Sequence, residues 1–376
     1  MKFDWLIIGA GFSGCVLAEQ IANRMNQKVL IIEKRDHIGG NAYDCYDPHG
    51  ILVHQYGPHL FHTNSKKVWH YLTQFTDWTC YQHHVLAVID GKTVPVPFNL
   101  NALRSLFPIK YADRLEEKLT KQYGFGKKVP ILELMDVADE EMKELAEYIY
   151  KNVFYGYTVK QWGMKPDELD RSVMARVPIH ISRDNRYFQD QYQGVPMLGY
   201  KSMFNNMISH PNIKVLLKTD YDEVKEYFHS TNMIYTGPID AFFDYKFGKL
   251  PYRSLNFTAR HLHNCTSYQP VAQVNYPNNY EFTRITEYKK ITGQNVPGTT
   301  IMHEEACSYT PGVNVPYYPI PRKENNDLYT KYKMEAKKLK ENVLFVGRLA
   351  EYKYYNMDQV VARALHVFEN EIAKQK

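Results

Sequence analysis

Short unbroken apolar runs recur along the chain, and the segments between them change character twice. Leu6-Ile7-Ile8 and Val29-Leu30-Ile31-Ile32 flank a helical stretch that reaches about Met25. Continuous runs of this length fit strands buried on both faces of a parallel sheet. Similar runs return at 213–217, 232–236 and 343–346, the last leading through Gly347-Arg348 to an amphipathic helix from Met357 to Ala373. Between 99 and 150 the pattern switches to helical spacing with mixed Glu and Lys. It predicts helices over Tyr111–Gln122 and Ile131–Tyr150, with Asp136 and Asp139 near a helix start. A shorter helix is predicted over 66–76. Residues 84–98 read as a hairpin turning at Asp90-Gly91. Residues 252–322 read as short strands of an antiparallel sheet, punctuated by Pro277-Asn278-Asn279 and Pro297-Gly298.

The first two runs carry chemistry as well as structure. Gly9-Ala10-Gly11-Phe12-Ser13-Gly14 joins the first strand to the helix, and Glu33 ends the second strand. In such a unit Gly9 permits the tight turn, Gly11 lets a pyrophosphate approach the backbone, and Gly14 lets helix and sheet pack closely. The helix N-terminus offers N–H groups to the phosphates, and Glu33 lies where an acid accepts a hydrogen bond from an adenosine ribose. An acid there argues against a 2′-phosphate. Glu33-Lys34, followed by Gly39-Gly40-Asn41, resembles the adenine-nucleotide region of FAD enzymes of the glutathione-reductase type, which favours FAD over NAD. The expected fold is α/β: a discontinuous Rossmann-like FAD domain with an inserted helical bundle and an antiparallel β-sheet domain. The FAD domain takes 1–80, 200–245 and 335–376; the bundle takes 99–175, with a mobile lid following to about 190. The sheet domain takes 81–98, 185–199 and 246–334.

A net charge of +5 without a long basic run fits an anionic small ligand and not nucleic acid. The five cysteines are scattered and form no C-x-x-C pair, so neither a disulfide framework nor a zinc site is expected, and a reduced cytoplasmic setting fits. The first apolar run is too short for a signal peptide, and no stretch nears the roughly 18 apolar residues of a membrane span. The 31 tyrosines suit sugar and base surfaces as well as ordinary packing.

His59 and His62 flank Leu60-Phe61 behind Gly57-Pro58, which makes the segment a loop. No third ligand has fitting spacing, so no metal is expected; hydrogen bonding near a flavin and plain structural roles both stay open. Residues 171–196, rich in Arg and Tyr, read as a ligand lid or a surface connection. Arg253, Arg284 and Arg348 sit in aromatic company, and Arg176, in ARVP, lies in the Arg- and Tyr-rich 171–196 segment. Taken singly, each reads as a structural ion pair. Together with a dinucleotide fold they point to a nucleotide-diphosphate substrate separate from the FAD. No Ser-His-Asp order, nucleophile elbow or carboxylate pair stands out.

From end to end the chain resembles the bacterial UDP-galactopyranose mutase family. The matching blocks are IIGAGFSG (7–14), EKRDHIGGNAYD (33–44), YGPHLFHT (56–63), GYTVKQWGMKPDEL (156–169), YQGVP (192–196), YTGPIDAFFDYKFGKLPYRSL (235–255), FTRITE (282–287), PYYPI (316–320) and VGRLAEYKYYNMD (346–358). The resemblance implies an isomerase with no net redox change, active when its FAD is reduced. Flavin N5 attacks the anomeric carbon, and a nucleotide-diphosphate sugar passes between pyranose and furanose forms. UDP-galactopyranose and UDP-galactofuranose, for surface polysaccharide, are the first expectation. Catalytic roles fall by position to Arg176 and Arg284, which grip the diphosphate, and to His59 and His62 at the flavin ring. Cofactor contacts fall to Gly9, Gly11, Phe12, Gly14, Glu33, Lys34, Gly40, Asn41, His59, Leu60, Arg348, Met357 and Asp358. Substrate contacts fall to His83, Phe154, Tyr157 (against uracil), Thr158, Trp162, Arg176, Tyr187, Arg253, Asn275, Arg284, Tyr318, Tyr354 and Asn356. Four positions depart from the family pattern: His83 replaces Asn, Asn356 an acid, His180 a lid arginine, and Val153 a frequent aromatic. These keep dTDP-fucose and UDP-N-acetylgalactosamine open as substrates. A redox flavoenzyme and a non-enzymatic binder on the same fold are the rivals, and a homodimer stays open.

Overall fold

The computed structural model describes residues 2–227, 232–339 and 342–374. Five parallel strands form one sheet, in the order Ile213–Leu216, Val29–Ile32, Trp5–Ile8, Asn232–Tyr235, Asn342–Phe345. Ile7 lies between Ile31 and Ile234. Alternation then divides the apolar runs. Trp5, Ile7, Val29 and Ile31 enter the main core with the helices Phe12–Met25 and Met357–Val367, whereas Leu6, Leu30 and Ile32 pack with Tyr221 and Val224. Both faces are covered, which is why the runs are unbroken. The sheet draws strands from both ends of the chain, because Asn342–Phe345 pairs with Asn232–Tyr235.

A second sheet has seven strands, ordered Tyr318–Pro319, Tyr252–Leu262, Thr299–Ser308, Arg284–Glu287, Gln273–Asn275, Val85–Ile89, Lys92–Val96. It is antiparallel except where Gln273–Asn275 runs parallel to Val85–Ile89. That pair joins segments separated by the whole helical insertion, so no hairpin fixes its sense. Tyr192–Pro196 pairs with Phe61–Thr63 and Trp78–Cys80 in a small sheet of its own, away from the seven-stranded one.

The helical insertion packs its apolar stripe on the Val85–Val96 hairpin. The single helix expected over Ile131–Tyr150 is two, Ile131–Met135 and Glu140–Ile149. Asp139 stops continuity by accepting from Met142 N at 3.1 Å, an N-cap that competes with helix interior. The predicted 66–76 helix ends at Leu72. After Ile149 the backbone widens into a π-turn, Tyr150–Tyr155, which leads into the helix Gly156–Trp162. Among the described residues no helix is long and apolar enough to cross a membrane.

Candidate active site

A cavity of about 540 Å³ is lined by the seven-stranded sheet, the helical insertion and the start of the Met357–Val367 helix. Four lining side chains, Lys128, Arg176, Arg284 and Arg348, are cations, and Asp190 is the lining acid. Such a surplus in a half-enclosed space focuses positive potential.

Arg284 stands opposite Glu304 on the neighbouring strand, and its Nη2 donates to the Glu304 carboxylate at 2.7 Å. Burial opposes the guanidinium charge, but Glu304, with Tyr157 and Tyr318 adding to it, holds the pKa well above the ordinary value. Arg284 Nε is buried without a partner. Arg176 is exposed; its guanidinium lies 3.7 Å over the Tyr354 ring and Nη2 donates to Asn356 Oδ1 at 2.7 Å. Tyr354 stacks on Tyr318 with centroids 5.0 Å apart. Burial pushes the Tyr318, Tyr157 and Tyr187 hydroxyls up, so they remain donors at neutral pH.

The histidine loop is neutral where it is buried. His59 Nδ1 lies 2.8 Å from Gly57 O, and since a carbonyl only accepts, the proton belongs on Nδ1 and Nε2 keeps its lone pair. Burial pushes His59 down to about 4 and His83 down to about 3. His62 bonds through Nδ1 to Asp190 Oδ2 at 2.8 Å and stacks on Phe188 at 3.6 Å.

Most of the substrate positions expected from sequence meet in this cavity: His83, Phe154, Tyr157, Thr158, Trp162, Arg176, Tyr187, Asn275, Arg284, Tyr318, Tyr354 and Asn356. His59, Leu60, His62, Arg348 and Met357 line it too, as do Val153 and His180. Arg253 does not. It is buried, and its guanidinium donates to Gln161 O (2.9 Å), Lys160 O (3.3 Å) and Ser308 Oγ (3.2 Å). It therefore struts the C-terminus of the Gly156–Trp162 helix, where a cation satisfies open carbonyls. Glu304, Arg35 and Gln273 had no signal in the sequence; Gln273 donates to Asn275 Oδ1 at 2.9 Å.

Gly9, Gly11, Phe12, Gly14, Glu33, Lys34, Gly40, Asn41 and Asp358 lie outside the cavity lining. Gly9 has φ +102°, and a Cβ there would sit 2.1 Å from Thr236 Oγ1; a Cβ on Gly14 would sit 2.0 Å from Gly9 O. Only glycine fits either place. The Phe12–Met25 helix has no side-chain N-cap and no acid in its first turn, so its first N–H groups stay open to an anion. Glu33 accepts from Ala10 N at 2.9 Å and Arg35 N at 3.0 Å. Arg35 lies 4.3 Å over Tyr56, gives Nη2 to Asn41 Oδ1 at 2.8 Å, and has a buried Nη1 without a partner. A bare helix terminus beside a spare guanidinium nitrogen fits an anionic dinucleotide. Two assignments shift. The Phe12 ring packs on Phe204 at 4.7 Å in the core, which leaves its backbone N–H for a cofactor. Asp358 is engaged by the Thr63 hydroxyl at 3.0 Å. Lys34 is exposed, and Gly40 packs against Gly11.

A parallel sheet with an open glycine turn, beside a cationic and tyrosine-lined cavity, defines an enzyme of the flavin-dependent fold. Residues 7–75 match the NAD(P)-binding Rossmann-like domain, and residues 152–354 match the UDP-galactopyranose mutase family. The chain belongs to the UDP-galactopyranose mutase family, a family of FAD-dependent isomerases. A probable UDP-galactopyranose mutase of Klebsiella pneumoniae is 35% identical, covering 99% of this chain and 96% of that one. A dTDP-fucopyranose mutase of Escherichia coli is 34% identical, covering 99% of both. A crystal structure of reduced UDP-galactopyranose mutase shares the fold with a TM-score of 0.72 at 16% identity, covering 99% of this chain and 94% of that one.

Proposed function

We propose that this enzyme interconverts UDP-galactopyranose and UDP-galactofuranose with reduced FAD. The observation that carries the proposal is the cavity charge: Lys128, Arg176, Arg284 and Arg348 against Asp190, suited to a diphosphate that must be held when it leaves. When bound and reduced, the flavin supplies the nucleophilic nitrogen, N5. The open helix terminus, Glu33 and Arg35 would hold its nucleotide end, and His59, Leu60, Arg348 and Met357 would take its ring.

The chain's own residues do the rest. Arg284, fixed by Glu304, is the standing diphosphate partner. Arg176, exposed and resting on Tyr354, is the arm that closes. Tyr318 and Tyr354 donate their hydroxyls to phosphate oxygens, and Tyr157 stacks on the base. His59 Nε2 accepts from a sugar hydroxyl, and His83 and Asn275 fix the sugar's orientation. The closing segment is Asp170–Pro178. Beyond it Ile179–His180 pairs with Lys128–Val129, and Tyr187 N donates to His83 O at 2.7 Å.

His83 and Asn356 favour a second reading, a 6-deoxy sugar on dTDP, the substrate class named for the Escherichia coli relative. The test is to incubate dithionite-reduced protein with UDP-galactofuranose, dTDP-fucofuranose and UDP-N-acetylgalactofuranose and to separate the products by chromatography. Pyranose from the first supports the proposal; pyranose from the second alone supports the alternative. No turnover of any of them refutes both.

A further inference from the structure

We propose that His49, His261 and His263 form a binding site for a divalent transition metal, Zn²⁺ first. One ring nitrogen from each lies within 4.8 Å of the other two. None of the three lines the cavity described above. His49 sits in the turn between the strands Asp44–Tyr46 and Leu52–His54; His261 sits at the far end of the strand Tyr252–Leu262, and His263 lies just past it. Imidazole is the ligand that borderline metals such as Zn²⁺ prefer, and three of them with solvent complete a tetrahedral shell.

A second layer of contacts prepares the half-buried member, His261. His261 Nδ1 lies 3.0 Å from Thr300 Oγ1, and Thr300 donates to Asp47 Oδ2 at 2.5 Å. The hydroxyl proton is committed to the carboxylate, so Thr300 Oγ1 accepts from His261 Nδ1–H. That fixes the tautomer and leaves the Nε2 lone pair free. Ligating histidines are commonly oriented through their other nitrogen in this way. Gly298, at φ +69°, keeps open the space beside Nε2, where a Cβ would stand 2.6 Å from that nitrogen. Asp47 Oδ1 is meanwhile pinned by His49 N (2.8 Å) and Ile51 N (2.9 Å). Lys289 is a nearby cation, with its ammonium bonded to Val296 O and Gly298 O, and Asp47 offsets it.

The rings move on binding. His49 stacks on His261 at 3.7 Å, and coordination in the plane of both rings requires the His49 ring to swing out. His49 and His263 are exposed, so both are free to do so. A bound metal would then clip the 47–51 turn to the end of the long Tyr252–Leu262 strand.

The test uses tag-free, flavin-loaded, full-length protein stripped with EDTA and titrated with Zn²⁺ by calorimetry, with X-ray absorption at the zinc edge. The expected result is one Zn²⁺ per chain, with nitrogen ligands at about 2.0–2.1 Å. Binding should be lost in His49→Ala and in His263→Ala, whose side chains are exposed and expendable to the fold. Asp47→Asn is the sharper variant. With its oxygen pinned by the two backbone N–H groups, its amide donates to Thr300, which then donates to His261 Nδ1 and moves the ring proton onto Nε2. Affinity should fall about 10–100-fold with all three histidines intact. No uptake, sulfur ligation, or wild-type affinity in either histidine variant overturns the site; wild-type affinity in Asp47→Asn overturns the relay that prepares it.

Discussion

Removing Arg284 should damage this protein twice, and the two effects can be separated. The Arg284 side chain is 18% exposed and that of Glu304 2%. Arg284→Ala therefore leaves the buried Glu304 carboxylate without its counter-charge. Breaking a buried pair from one side costs about 3–5 kcal/mol, because the remaining charge is uncompensated. In Arg284→Ala/Glu304→Gln the stranded charge is gone and an amide remains, with an unmet hydrogen bond of about 1–2 kcal/mol. The double variant should thus be about 1–4 kcal/mol more stable than the single one, a difference outside the roughly 0.3–0.5 kcal/mol scatter of independent sites. Urea denaturation of flavin-loaded protein, followed by tryptophan fluorescence, measures it. Calorimetry with UDP measures the other half: binding should be lost in both variants, since neither keeps the arginine proposed to hold the diphosphate. If the double variant is no more stable than the single one, or if it binds UDP as the wild type does, the reasoning about this pair is wrong.

Three further outcomes follow from the same geometry. Asn356→Asp puts a carboxylate where Arg176 Nη2 now donates at 2.7 Å; an exposed pair of this kind is worth about 0.2–1 kcal/mol, so UDP should bind up to about fivefold more weakly, and unchanged or tighter binding contradicts it. His54, His59 and His83 are held neutral by burial, pushed down to about 3, 4 and 3. Their folded pKa values lie below the unfolded one, so unfolding takes up protons between about pH 6.5 and 4 and the stability present at pH 7 is lost as pH falls through that window; a denaturation midpoint flat from pH 7 to 5 would count against it. Arg35→Met removes the spare nitrogen beside the glycine turn and should lower the flavin-to-protein absorbance ratio after purification, whereas full occupancy would free Arg35 of that role.

Local signals made the parallel sheet legible. Continuous apolar runs, a glycine turn and an acid at a strand end all act within a few residues of one another, and the sheet obeys them. The long-range pairings left no such trace. Gln273–Asn275 beside Val85–Ile89, and Glu304 behind Arg284, depend on how strands distant in sequence come to lie side by side. Arg253 misled because its aromatic neighbours in sequence resemble those of the cavity arginines. In three dimensions it answers the open carbonyls of a helix end. Phe12 shows the limit of a motif position: it concerns the backbone, and the ring belongs to the core. The histidine trio joins one turn to the end of a remote strand, so its spacing carried no recognisable ligand pattern. The helix break at Asp139 is half visible in the sequence: Asp136 and Asp139 mark a helix start, but the helical spacing runs on through them.

In the proposed reaction the flavin serves the ring interconversion without net electron transfer. The most direct measurement compares oxidised and dithionite-reduced protein on UDP-galactofuranose under anaerobic conditions, with product and remaining reductant both quantified. Many turnovers to UDP-galactopyranose are expected from the reduced protein, none from the oxidised, and no loss of reducing equivalents. Product formed in proportion to reductant consumed, or equal turnover by the oxidised protein, would contradict it.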